Sequence, residues 1–121
     1  MEDKTCEERI MGHFDNHYNE IMKLFRAFQE DGDNEIYDFG LELAYDEENK
    51  EGYYIWLLSY GGPSTEFRFY CNPRNEVYKI VYVLVDWFDR ADYTLSGDQF
   101  EAMEAVFNEC FRYSLPDLDL D

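Results

Sequence analysis

Apolar residues follow two rhythms along this chain. Between Thr5 and Gln29, Ile10, Phe14, Tyr18, Ile21, Phe25 and Phe28 recur at steps of three and four, and Met11 and Met22 widen the stripe. On a helix of 3.6 residues per turn these positions share one face, so residues 5–29 are expected to form one long amphipathic helix. Thr5-Cys6-Glu7-Glu8 offers a capping box at its start, with Thr5 and Glu8 satisfying each other's backbone amides. Glu30-Asp31-Gly32-Asp33-Asn34 then ends the helix in a loop.

From Tyr37 the rhythm shortens to two. Tyr37, Phe39, Leu41, Leu43 and Tyr45 alternate with Asp38, Gly40, Glu42, Ala44 and Asp46, which predicts a half-buried strand. Residues 46–52 are polar and suit a hairpin turn. Tyr53 to Tyr60 is a second strand, apolar on both faces, and Gly61-Gly62-Pro63-Ser64 is a turn. Thr65 to Cys71 is a third strand, with Phe67 and Phe69 on one side and Glu66, Arg68 and Tyr70 on the other. After Asn72-Pro73-Arg74-Asn75, Val77 to Trp87 is so continuously apolar that it predicts a central strand buried on both faces. Residues 89–95 read as a loop. Ser96 then caps a second helix, with Gln99 in the capping-box position and Phe100, Met103, Val106, Phe107, Cys110 and Phe111 on its buried side. Leu115-Pro116 ends ordered structure before an acidic tail.

The expected fold is α+β: a four-stranded antiparallel β-meander flanked by an N-terminal and a C-terminal helix, order α-β-β-β-β-α. Two amphipathic helices would cover one sheet face. The 121 residues suit a single domain spanning 1–121. A chain of this size buries roughly two thirds of its unfolded surface, enough to fold without a disulfide or a metal.

Charge changes the picture more than any motif. The chain carries 28 Asp and Glu against 10 Lys and Arg, a formal net charge of −18. Acidic disordered segments are poor in aromatics, whereas aromatics are 19% of this chain. The expectation is therefore a folded domain with an acidic coat. Autonomous binding to nucleic acid or to an anionic membrane is excluded, because both require a basic face. Solubility needs a net charge of only about 2–8 on a small domain, and self-repulsion opposes compaction. A cationic partner is the simplest compensation. Duplex DNA carries one charge per roughly 1.7 Å, so eighteen charges match roughly 30 Å of duplex. A folded domain of this length is roughly 35 Å wide. The two charge densities are comparable.

The acids gather in the sequence. Asp38, Glu42 and Asp46 share one side of the first expected strand, and Glu47, Glu48 and Glu51 extend them into the next turn. Glu30, Asp31, Asp33 and Glu35 precede them. Asp86, Asp89 and Asp92 follow the fourth strand, and Asp98, Glu101 and Glu104 lie on the polar side of the last helix. Aromatics are the second signal. Tyr53, Tyr54, Trp56, Tyr60, Tyr70, Tyr78 and Tyr82 exceed what one helix-covered face requires. Some should lie on the opposite sheet face, near Arg68. They build either a second small core or a Tyr-rich surface of the kind that dominates protein-binding hot spots.

Catalytic chemistry finds little foothold. His13 and His17 lie one helical turn apart with Glu20 on the same flank, a set that could hold zinc, but no HExxH motif and no third His accompany them. The serines lack an elbow context, and Gly61-Gly62-Pro63-Ser64 lacks the lysine of a phosphate loop. Cys6, Cys71 and Cys110 are odd in number and widely spaced, so they are expected to be reduced thiols. The acidic opening residues do not read as a signal peptide, and the apolar run Val81–Val85 is too short to cross a bilayer. A cytoplasmic protein without a cofactor is expected.

The stretch Leu58-Ser59-Tyr60-Gly61-Gly62-Pro63-Ser64-Thr65-Glu66-Phe67-Arg68-Phe69-Tyr70, followed by Val85-Asp86-Trp87-Phe88-Asp89, resembles an uncharacterised family of small acidic proteins from plasmids, phages and conjugative elements. The resemblance spans residues 37–92 and carries no functional residue with it. It implies a setting like that of antirestriction and anti-CRISPR proteins, several of which mimic DNA. The expected function is that of a non-enzymatic, DNA-mimic inhibitor, a monomer or dimer, bound to the basic nucleic-acid groove of a bacterial defence nuclease or nucleoprotein effector. Its expected contact residues are Asp38, Glu42, Asp46, Glu47, Glu48, Glu51, Glu66, Tyr60, Tyr70, Asp86 and Asp89. An immunity protein or antitoxin against a basic toxin is the alternative of the same class. A small metal-dependent enzyme or metal-bound sensor built on His13, His17 and Glu20 is the alternative of another.

Overall fold

The apolar stripe at the N-terminus folds as its spacing requires. In the computed structural model, which describes residues 5–46, 53–61, 63–74 and 76–111, helix α1 runs Cys6–Asp31. The capping box forms. The Glu8 amide donates to Thr5 Oγ1 at 3.2 Å, and the Thr5 amide donates to Glu8 Oε1 at 2.8 Å. Ile10, Phe14, Ile21 and Phe25 are buried along one face. Gly32 stops the helix in left-handed backbone, φ 70°, and its amide donates to the Phe28 carbonyl at 3.1 Å.

The first expected strand is shorter than its alternation suggested. Residues Glu35–Asp38 form a single helical turn, α2, and strand β1 begins only at Glu42 and runs to Asp46. The cause lies at Gly40. Its φ of 89° redirects the chain, and a Cβ there would stand 2.8 Å from Trp56 Nε1. That indole instead donates to the Phe39 carbonyl at 3.2 Å, and the Leu41 amide reaches the Leu57 carbonyl at 2.7 Å. Tyr37 has left the sheet and packs edge-on against Phe28 and Phe111.

The sheet has five strands rather than four. Strands β2 (Tyr53–Ser59), β3 (Ser64–Cys71) and β4 (Val77–Asp86) follow the expected pattern. The segment read as a loop after them is a fifth strand, β5, Asp89–Thr94. All pairs are antiparallel in the order β1-β2-β3-β4-β5. In β5, Ala91 and Tyr93 pack toward the core, while Arg90, Asp92 and Thr94 are exposed. Asp86 pairs directly with Asp89, so only Trp87 and Phe88 form the connecting turn. Hairpins of that length ordinarily carry glycine or asparagine. Their absence hid the strand.

Helix α3, Gly97–Val106, continues into a π-helical turn, Phe107–Phe111. Ser96 stands at its N-cap but makes no side-chain cap. Gly97 follows in left-handed backbone, φ 55°, and Gln99 accepts from the Tyr93 hydroxyl instead of closing the expected box. Both helices pack on one sheet face. There Phe14 meets Phe67, Tyr82 and Tyr93, while Phe107 meets Tyr54 and Phe69. The other face carries a second, smaller cluster of Tyr53, Tyr70, Val81 and Val83 with Ile55. The surplus aromatics thus divide: Tyr54, Trp56 and Tyr82 belong to the helix-covered core, and Tyr53 and Tyr70 to the opposite face. No helix among the described residues is long and apolar enough to cross a membrane.

Candidate partner-binding site

The sequence nominated acids, and the structure gives them unequal surroundings. Asp38 on α2 and Glu42 on β1 are exposed. Asp46 ends β1, its side chain outside the described residues, as are Glu47, Glu48 and Glu51 altogether. Cross-strand register places Glu42, Leu57, Glu66, Val83 and Asp92 in one row on the face away from the helices. Adjacent strands lie roughly 4.8 Å apart, so acids on alternate strands recur about every 10 Å. Two of those carboxylates are already engaged. Arg68 Nε donates to Glu66, and Arg90 Nε donates to Asp92 at 2.9 Å.

Asp86 and Asp89 stand together at the feet of the β4–β5 turn. Arg9 Nη2 donates to Asp86 Oδ2 at 2.6 Å, and the Cys6 amide donates to Asp89 Oδ2 at 2.7 Å. Cys6 is the first residue of α1, so Asp89 places a negative charge on the positive end of the helix dipole. The amides of Cys6 and Arg90 hold the Asp89 carboxyl below its usual range. These two acids fasten the hairpin to the helix.

Tyr60 and Tyr70 part ways. Tyr70 is buried on the outer face against Tyr53, with the Lys79 ammonium 4.6 Å from its ring centroid. Arg68 lies over Tyr53 at 5.1 Å. Tyr60 is 81% exposed in the β2–β3 turn. It lines a cleft of about 370 Å³ with Gly61, Ser64, Val85, Asp86 and Trp87, so the β2–β3 and β4–β5 turns share one end of the sheet. Of the nominated residues, this end brings together Tyr60, Asp86 and Asp89.

Trp87 and Phe88 were missed. Trp87 is 88% exposed and Phe88 is fully exposed, with Val85 beside them also in water. Exposed apolar side chains this large, standing together at a turn, make this end of the sheet the candidate site. Trp87 also has φ 58°, rare for a bulky side chain. The available signal was the Trp-Phe pair between two aspartates, split by the reading that ended the fourth strand at Trp87.

The metal-ligand grouping does not assemble among the described residues. His17 Nδ1 lies 2.7 Å from the Tyr82 hydroxyl, turned into the core. Burial, and then the neighbouring His13, lower the His17 pKa. Burial also pushes the Tyr82 hydroxyl up, partly offset by its hydrogen bond with Thr65. Thr65 Oγ1 is in turn 2.7 Å from Ser59 Oγ, so a polar thread runs from α1 through the core to the base of the β2–β3 turn. Cys6 and Cys110 are buried and Cys71 is half-buried. Burial pushes Cys110 up to about 12, which keeps it protonated and inert at neutral pH.

Comparison with family models, with curated proteins and with solved structures returns no match for this chain.

Proposed function

We propose that this chain is a non-enzymatic acidic inhibitor that covers the basic nucleic-acid groove of a partner protein, of the kind found in bacterial defence nucleases. One observation carries the reading: three arginines are paired with acids, while a run of acids stands exposed with no basic residue among them. Arg9, Arg68 and Arg90 are committed to Asp86, Glu66 and Asp92. Residues 27–49 contain nine acids and no Lys or Arg. Within them Glu30, Asp31, Glu35, Asp38 and Glu42 are exposed on helical or strand backbone, so their charge is held by regular structure. Glu30 and Asp31 even sit at the C-terminal end of α1, where the helix dipole disfavours anions and the last turn holds no basic residue. Acids kept at an unfavourable position point to a role outside folding.

Such a surface steers association with a cationic groove and competes with the phosphates that normally enter it. The test is DNA cleavage by a purified RNA-guided nuclease and a purified restriction endonuclease, each titrated with the protein at 50 mM and 500 mM salt. The expected result is inhibition of at least one at low salt that weakens at least tenfold at high salt. Inhibition of neither, or inhibition indifferent to salt, overturns the reading.

A further inference from the structure

The β4–β5 turn is built against local preference and then held in place. A two-residue hairpin loop needs positive φ at its first central position and normally fills it with glycine, asparagine or aspartate. Here Trp87 occupies it at φ 58°. Backbone of that kind persists only where the surroundings over-determine it. The surroundings do so at both feet. Asp86, before the turn, is paired with Arg9, and Asp89, after it, accepts the Cys6 amide. Both anchors lie in the first turns of α1. The turn is thus fastened to a 26-residue helix while its two aromatic side chains stand in water. Tyr60 and Val85 continue the apolar surface across the adjoining cleft. Nothing in folding rewards an exposed Trp-Phe pair on a strained turn. Binding does, because rigidly presented aromatics lose little freedom on docking and Trp and Tyr dominate hot spots.

We propose that Trp87 and Phe88 form a pre-organised wedge that inserts into an apolar pocket of a partner protein whose rim carries Lys and Arg. Charge selects this occupant. Glu7, Asp86, Asp89 and Asp92 lie about the foot of the turn against Arg9 and Arg90. A second copy of the chain brings −18 of its own, and nucleic acid and anionic lipid bring the same sign. A cation-rimmed pocket brings the opposite sign and still desolvates the rings. The wedge rests on the proposed function only in taking the partner to be a basic protein.

The experiment places benzoylphenylalanine at position 88 and irradiates the protein in a bacterial lysate. Each captured protein is then purified and its Kd measured for the wild type, Trp87→Ala, Phe88→Ala and Trp87→Gly. The expected result is a captured protein rich in Lys and Arg at the crosslinked site, whose Kd weakens at least tenfold in every one of these variants. Trp87→Gly suits the φ of the turn, so its melting temperature stays level or rises, which separates lost binding from lost folding. The wedge is overturned if no captured protein shows a Kd that depends on the turn, or if crosslinks join two copies of the chain. It is equally overturned if phosphatidylcholine vesicles alone shift the Trp87 emission to the blue. A basic partner that handles no nucleic acid would overturn the proposed function and leave the wedge standing. A nuclease inhibited equally by the wild type and the turn variants would do the reverse.

Discussion

Two regions of this molecule are built from the same aromatic residue types and obey opposite rules. Under the helices, Phe14, Phe67, Phe69, Tyr54, Tyr82 and Phe107 are all but sealed from water, their rings meeting at tilted or edge-on angles. Each such ring removes roughly 150–250 Å² from water, which at about 25 cal/mol per Å² is of order 4–6 kcal/mol of gross stabilisation. At the β4–β5 turn, Trp87 and Phe88 forgo all of this, and Trp87 occupies a conformation that costs free energy besides. Burial therefore accounts for the first group and leaves the second unexplained by stability. The contrast separates aromatics whose burial makes the fold from aromatics that the fold leaves in water.

Truncating one member of the buried group carries the largest expected effect. Phe107 is fully buried, 5.0 Å from the Phe69 ring and 5.6 Å from that of Tyr54. Phe107→Ala is expected to cost about 3–5 kcal/mol, from lost transfer energy plus an unfilled cavity. Urea denaturation followed by far-UV circular dichroism measures it. A cost below about 1 kcal/mol would mean that the helix-covered face is not the main core.

The next effect has the opposite sign. Trp87→Gly relieves a left-handed bulky residue, worth about 1–3 kcal/mol, and gives back roughly 0.5–1 kcal/mol through the freer unfolded chain. The side chain is 88% exposed, so little packing is lost. The expected net is a gain of about 1 kcal/mol in the same denaturation experiment. Destabilisation instead would show that Trp87 packs for the fold, and the two aromatic groups would no longer be distinct in kind.

These two sites also mark where the sequence could be read and where it could not. The stripe from Ile10 to Phe28, the alternation of Phe67 and Phe69 with Glu66, Arg68 and Tyr70, and the doubly buried β4 all follow from periodicity, because burial itself imposes it. That aromatics would lie on both sheet faces was foreseeable, but not which ones, since only pairing register assigns Tyr53 and Tyr82 to opposite sides. Tyr37 fails differently. Its alternation was strand-like, but Gly40 and the Trp56 indole turn the chain before the sheet begins. The fifth strand was illegible because its turn lacks turn residues. A local rule broken without a folding reward is what a functional site looks like in sequence. The nominated Tyr60, Asp86 and Asp89 lie about that turn, while Trp87 was read as the end of the fourth strand and Phe88 belonged to no element.

On the outer face the aromatic interactions are intermediate. Tyr53 is buried against Tyr70 and lies under the Arg68 guanidinium. Tyr53→Leu keeps much of the apolar area and removes the cation–π contact, so the expected loss is about 0.5–1 kcal/mol. Chemical denaturation of the wild type and the variant at matched salt reads the difference. A loss as large as that of Phe107→Ala would make the outer cluster a second main core and leave three aromatic regions to explain.

The smallest expected effect tests the polar thread inside the buried group. His17 faces the Tyr82 hydroxyl and has its pKa lowered, first by burial and then by His13. Its folded pKa lies below the ordinary value of about 6.5. Above that value the imidazole is neutral in both states, and its contribution to stability is fully present. As the pH falls through 6.5, the unfolded chain takes up a proton that the folded chain resists, so stability falls until the folded pKa is passed. The acidic coat pulls the other way, since protonating carboxylates relieves repulsion on a chain of net charge −18. The histidine is therefore read as a difference between wild type and His17→Gln, which share that coat. Unfolding free energy measured from pH 7.5 to pH 5.5 should show the wild type losing ground to the variant on acidification. Crosslinking from position 88 should be indifferent to the His17→Gln substitution at pH 7.5, since the residues holding the turn are Arg9, Cys6, Asp86 and Asp89. A turn that responded to His17 would join the two aromatic regions into one coupled unit.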